Sequence, residues 1–142
     1  MDSSKPDFKI LDHTADLGIT VRGYDLQNLF ESAAKSMLQV MFGENYAEGS
    51  KTLKLSVQGE DLADLMVRWL GEILYIFEGE NEMVTDVEID SIVPSHLYAT
   101  VKTIPFNPDM HEIFCEIKAV TYHQIQVAKK NHRWKARIIF DL

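Results

Sequence analysis

Leu17-Gly18-Ile19-Thr20-Val21-Arg22-Gly23-Tyr24-Asp25-Leu26 is the stretch that decides the fold class. Its first eight residues alternate as a half-buried strand does, with Leu17, Ile19 and Val21 on one face. Asp25 then stands where a helix N-cap belongs, because its carboxylate can accept the free N–H groups of the first turn. Beyond it Leu26, Leu29, Phe30, Ala33, Ala34, Met37, Leu38 and Met41 keep i, i+3, i+4, i+7 spacing, with Gln27, Glu31, Lys35 and Gln39 opposite. That pattern predicts an amphipathic helix ending at Gly43 and packing on a sheet.

A second strand-to-helix passage follows a loop through Asn45 to Ser50. Leu53, Leu55 and Val57 share one strand face. Asp61 caps a helix whose apolar positions are Leu62, Leu65, Met66, Trp69, Leu70, Ile73, Ile76 and Phe77, with Gly79, Glu80 and Asn81 at its exit. Glu72 falls inside that apolar arc, so its carboxylate must reach the rim or meet a partner. Gly71 lies within the same helix at a cost of about 1 kcal/mol against Ala, which predicts close packing or the approach of a ligand.

The rest of the chain reads as strands. Val84–Ile89 and Leu97–Val101 flank a turn at Pro94-Ser95, and Ile104–Met110 is an irregular connection with two prolines. Ile117–Val127 and Trp134–Phe140 form a predicted hairpin turning at Lys129–His132. The expectation is an α+β or α/β sandwich in one domain over residues 1–142, with residues 1–6 loose. Two long amphipathic helices make one layer on a mostly antiparallel sheet of six or seven strands.

The charge balance narrows function. Among 142 residues, 22 acidic against 14 basic give a net charge of −8, and no basic stripe runs along the sequence. Strong direct nucleic-acid binding is therefore not expected, and Lys129-Lys130-Asn131-His132-Arg133 reads as a solvated turn. No apolar run reaches the roughly 18 to 20 residues of a membrane span, and Met1–Pro6 lacks the apolar core of a signal peptide, which predicts a cytoplasmic protein. The one cysteine, Cys115, reads as a core or half-buried thiol. No phosphate-binding glycine loop, dinucleotide fingerprint or Gly-x-Ser-x-Gly elbow is present.

The chemistry concentrates in Leu11-Asp12-His13-Thr14-Ala15-Asp16-Leu17-Gly18 and at the other end of the sequence, in Phe140-Asp141-Leu142. If Asp16 and Asp141 end neighbouring strands, their carboxylates and the terminal oxygens of Leu142 make an oxygen-rich cluster suited to calcium, magnesium or manganese. His13 beside Asp12 reads equally as a proton shuttle, a ligand or a structural histidine. His123 reads as a mid-strand core or edge histidine, and His96, His111 and His132 as loop or turn surface. Two solvated carboxylates at strand ends are the plain alternative to a metal site.

Leu11-Asp12-His13-Thr14-Ala15-Asp16, Gly23-Tyr24-Asp25-Leu26 with Leu29-Phe30 and Ala33-Ala34, Lys118-Ala119-Val120-Thr121-Tyr122-His123, and Phe140-Asp141-Leu142 together resemble the archease family, in order and nearly end to end. The resemblance implies a protein cofactor of the RtcB-type RNA ligase of tRNA splicing. Such a protein promotes guanylylation and repeated turnover of the ligase and is not itself an enzyme. It also implies a divalent-metal site at Asp16, Asp141 and Leu142, with Ca2+ first and Mg2+ or Mn2+ as alternatives, and Asp12, His13, Glu72 and His123 as supporting candidates. The family often ends in Asp-Ile, and Leu142 keeps the same oxygens. Ile104–Glu116 matches the family pattern least. The competing functions are a stand-alone metal-dependent phosphohydrolase and a chaperone-like binding module.

Overall fold

A computed structural model describes residues 5–12, 16–44 and 48–142. In chain order its elements are β1 (Asp7–Asp12), β2 (Asp16–Gly23), α1 (Leu26–Phe42), β3 (Lys51–Gln58), α2 (Leu62–Glu80), β4 (Glu82–Val93), β5 (His96–Pro105), β6 (Ala119–Val120), β7 (Gln126–Lys130) and β8 (Arg133–Asp141). Both strand-to-helix passages are present. The Asp25 carboxylate accepts from the Asn28 N–H at 2.7 Å, and Asp61 accepts from the Asp64 N–H at 2.8 Å. Helix α1 stops at Gly43 with φ 79°, and α2 at Asn81, whose φ of 57° and ψ of 33° are left-handed.

The fold is α+β with every strand pair antiparallel, but the strands divide into two sheets where the sequence predicted one. One sheet runs β1-β2-β8, with β6 and β7 both pairing along the far side of β8; the other runs β3-β5-β4. The helices account for the division. In α2, Leu65, Met66, Val67, Trp69, Leu70, Ile73, Leu74 and Ile76 are all buried, an arc too wide for a single sheet to cover. Helix α1 accordingly touches β2 of one sheet and β4 of the other, while α2 touches β3 and β4 on one side and β6 and β7 on the other. The helices fill the middle of the molecule, and each sheet turns its other face outward, with Ile139 and the opposed Gly18 buried on the outer side of β2 and β8. Among the described residues, no helix is long and apolar enough to cross a membrane.

Helix α1 shows the same effect on its polar side. Glu31, expected to face solvent, is half-buried and accepts the Ile89 N–H at 2.8 Å where the β4 register slips between Ile89 and Ser91. Burial pushes its carboxyl pKa up, opposed by that hydrogen bond. Between the helices, the fully buried Trp69 donates its indole N–H to the Phe30 carbonyl at 2.9 Å.

Three local expectations are corrected. The predicted strand Ile117–Val127 is broken: β6 has two residues, a turn follows with Gln124 at φ 52°, and β7 begins at Gln126. His123 therefore sits exposed in a turn and not mid-strand. Glu72, by contrast, reaches the rim, one of the two places expected for its carboxylate. Gly71 is not a packing glycine, since a Cβ there would have nothing within 4 Å. Gly71→Ala is thus expected to raise stability by about 0.4–1 kcal/mol through the loss of unfolded-state freedom, read as a rightward shift in a urea melt with unchanged slope. The hairpin joining β7 to β8 turns at Asn131 and His132, with φ of 52° and 66°, inside the predicted turn. Two consecutive left-handed residues give the turn twist that matches paired strands.

Candidate metal centre

Asp16 and Asp141 are directly opposed. They are the terminal pair of the β2–β8 ladder, which runs without a break from Asp16↔Asp141 to Gly23↔Trp134. Because side chains alternate along a strand, both carboxylates lie on the face away from the core, which takes Leu17, Ile19 and Val21 from β2 and Ala136, Ile138 and Phe140 from β8. Side chains so opposed have Cβ atoms about 4.5–5.5 Å apart, close enough for two carboxylates to repel each other or to share a cation. Leu142 follows at once and is 40% exposed.

The far side of β8 fixes Asp141. Lys118 donates its backbone N–H to the Asp141 carbonyl at 2.8 Å, and Thr121 donates both its N–H, at 3.0 Å, and its hydroxyl, at 2.8 Å, to the Ile139 carbonyl. The next residue ties this segment to a helix: the Tyr122 hydroxyl donates to Asp64 Oδ1 at 2.6 Å. Asp64 also accepts the Glu60 N–H at 2.8 Å and Arg68 Nε at 2.9 Å. These donors, Tyr122 first and the Glu60 N–H next, hold the Asp64 carboxyl at about 2, below its ordinary 3.8, while the bond to Asp64 raises the Tyr122 hydroxyl above its ordinary 10.0. Nothing in the sequence order signals this clamp, because its partners come from distant segments.

The pH dependence follows from these directions. A depressed carboxylate contributes stability above the unfolded pKa and loses it as pH falls from about 4 to about 2. A raised phenol contributes below 10 and loses it as the hydroxyl ionises. Tyr122→Phe is expected to be less stable than the wild type across the plateau between those limits and to match it at pH 2, as thermal melts over a pH series will show.

The supporting candidates fare differently. Asp12 closes β1 opposite Leu17, so its backbone lies one strand from Asp16; its side chain and His13 fall outside the described residues. Glu72 lines an open cleft between α2 and β3 with Ser56, Gln58, Arg68 and Gly71, against the other sheet. His123 lies in the β6–β7 turn, its N–H donating to the Thr121 hydroxyl at 3.3 Å. His96, expected at the surface of a turn, begins β5, stacks on Tyr98 at 4.4 Å and bonds the Ser56 hydroxyl at 2.8 Å. Among the described residues no three His, Cys, Asp or Glu side chains converge on one point. The constellation there is a carboxylate pair followed by backbone oxygens, an all-oxygen set that fits a hard cation keeping part of its water shell.

A model of the archease protein family (MTH1598/TM1083) matches residues 8–142 of the chain, from β1 to the carboxylate pair. The chain belongs to the archease family. It is 30% identical over 146 residues to protein archease of Methanosarcina acetivorans, covering 100% of both chains, and 33% identical to that of Methanothermobacter thermautotrophicus, covering 95% of this chain and 98% of the relative. The solution structure of Methanobacterium thermoautotrophicum protein 1598 superposes with a TM-score of 0.77 at 32% identity, over 95% of this chain and 98% of that one. A crystal structure from Thermotoga maritima, described as an archease and possible chaperone, gives 0.66 at 20% identity over 94% and 96%, a likeness of fold alone. None of these descriptions names an enzyme.

Proposed function

We propose that the chain is an accessory protein of an RtcB-type RNA ligase in tRNA splicing, which promotes guanylylation and turnover of the ligase and carries a divalent cation, Ca2+ or alternatively Mg2+ or Mn2+, on Asp16, Asp141 and the backbone oxygens of Leu142. The observation that carries this reading is the cross-strand pairing of Asp16 with Asp141 at the end of the ladder. Family membership supports it, since the motifs that bring the resemblance to this ligase cofactor include both aspartates. Held at an exposed sheet corner, a hard cation would supply positive charge for the oxygens of a nucleoside triphosphate in the ligase. The test is guanylylation of a purified RtcB-type ligase by GTP and manganese, with and without the protein and its Asp16→Ala and Asp141→Ala variants. Stimulation by wild type that both variants lose, with circular dichroism unchanged, is the expected result. No stimulation of an active ligase, or full stimulation by both variants, would overturn it.

One observation favours a second reading, a chaperone-like module. Met110, Ile113 and Phe114 are 75%, 41% and 65% exposed on the irregular connection after β5, an apolar surface that a client segment could cover. This reading predicts suppression of client aggregation that survives both aspartate substitutions and is lost on Phe114→Ser.

A further inference from the structure

We infer that the outer face of the β1-β2-β8-β7 sheet binds the phosphate backbone of a nucleic acid. The inference stands on the charge pattern of that face and does not depend on the ligase reading.

Strand alternation and register bring Lys9, Arg22, Lys130, Arg133, Lys135 and Arg137 to the face that also bears Asp16 and Asp141, and Asp7 opposite Arg22. They are six of the 14 basic residues of an acidic chain, drawn from segments that the linear sequence keeps apart. Two of the cross-strand pairs are like-charged: Arg22 opposes Lys135, and Lys130 opposes Arg133. Directly opposed like charges destabilise a sheet. Among the described residues none of the six is in an ion pair; those present join Lys51 to Glu82 and Arg68 to Asp64. A polyanion laid across the face relieves all of these at once.

One feature favours a nucleic acid over an acidic peptide. Three of the six cations are arginines, whose planar forks match phosphate oxygens. Neighbouring strands about 4.8 Å apart spread the cations across four strands, wide enough for several nucleotides.

The test is fluorescence anisotropy of a labelled 12-nucleotide mixed-sequence RNA between 50 and 200 mM salt. Wild type is expected to bind, with affinity falling as salt rises by a log–log slope of up to about −4 if all six cations are engaged. The double variant Arg133→Glu, Lys135→Glu turns both like-charged pairs into opposite-charged ones, so it is expected to melt no lower than wild type yet to bind at least tenfold more weakly with a flatter slope. The control Lys54→Glu, Lys102→Glu lies on the other sheet and is expected to change binding less than twofold. Absence of wild-type binding at 50 mM salt, equal losses in both double variants, or equal affinity for a labelled oligoglutamate of the same charge would each overturn the proposal.

Discussion

Trp69→Ala is expected to lower the unfolding free energy by about 3–5 kcal/mol, a large share of what a domain of this size has. Trp69 is fully buried on α2, and its indole N–H is bonded at 2.9 Å to the Phe30 carbonyl on α1. Truncation leaves a cavity between two helices that are themselves held between two sheets, so little can move in to fill it. Trp69→Phe separates the contributions. It keeps most of the volume but removes this donor from the Phe30 carbonyl, which keeps its helical bond within α1, and so costs about 0.5–1.5 kcal/mol. Urea melts followed by far-ultraviolet dichroism rank the three proteins; a Phe variant as stable as wild type would show that the hydrogen bond contributes nothing.

The second large effect concerns metal. With calcium at a hundred times its dissociation constant, wild type is expected to gain about 2.7 kcal/mol, seen as a rise in melting temperature that EDTA reverses. Asp16→Asn with Asp141→Asn removes both charges from the terminal pair of the β2–β8 ladder. That double variant is expected to lose the calcium-dependent gain. A calcium-dependent rise of unchanged size in the variant would remove the site from these residues.

The sequence carried the helices and the main hairpins well, for physical reasons that can be named. Asp25 and Asp61 are capping residues at the heads of long periodic runs, and both cap as expected. It misjudged Glu31 for a physical reason. Periodicity marks the apolar side of a helix but not how many neighbours will cover it, and two sheets cover these helices. The break at Tyr122–Ile125 was hidden because Tyr122 and Ile125 suit a strand as well as they suit the turn that bonds them. The opposition of Asp16 to Asp141 could be framed from the sequence only as a condition, that they end neighbouring strands. The basic sheet face could not be framed at all, since its six residues gather only through register.

The division of the sheets also fixes an order of events during synthesis. The β3-β5-β4 sheet comes entirely from the middle of the chain, whereas β2 must wait for β8, the last strand to emerge, before it gains its inner neighbour. Contacts that close such long loops form late, so a nascent chain on the ribosome can assemble the middle sheet while β1 and β2 still lack their main partner. Asp16 therefore meets Asp141 only once the chain has been made through residue 141. A prematurely terminated product lacking β8 would have neither the carboxylate pair nor the central strand of the basic face, and would expose one edge of β2 to surveillance by proteases.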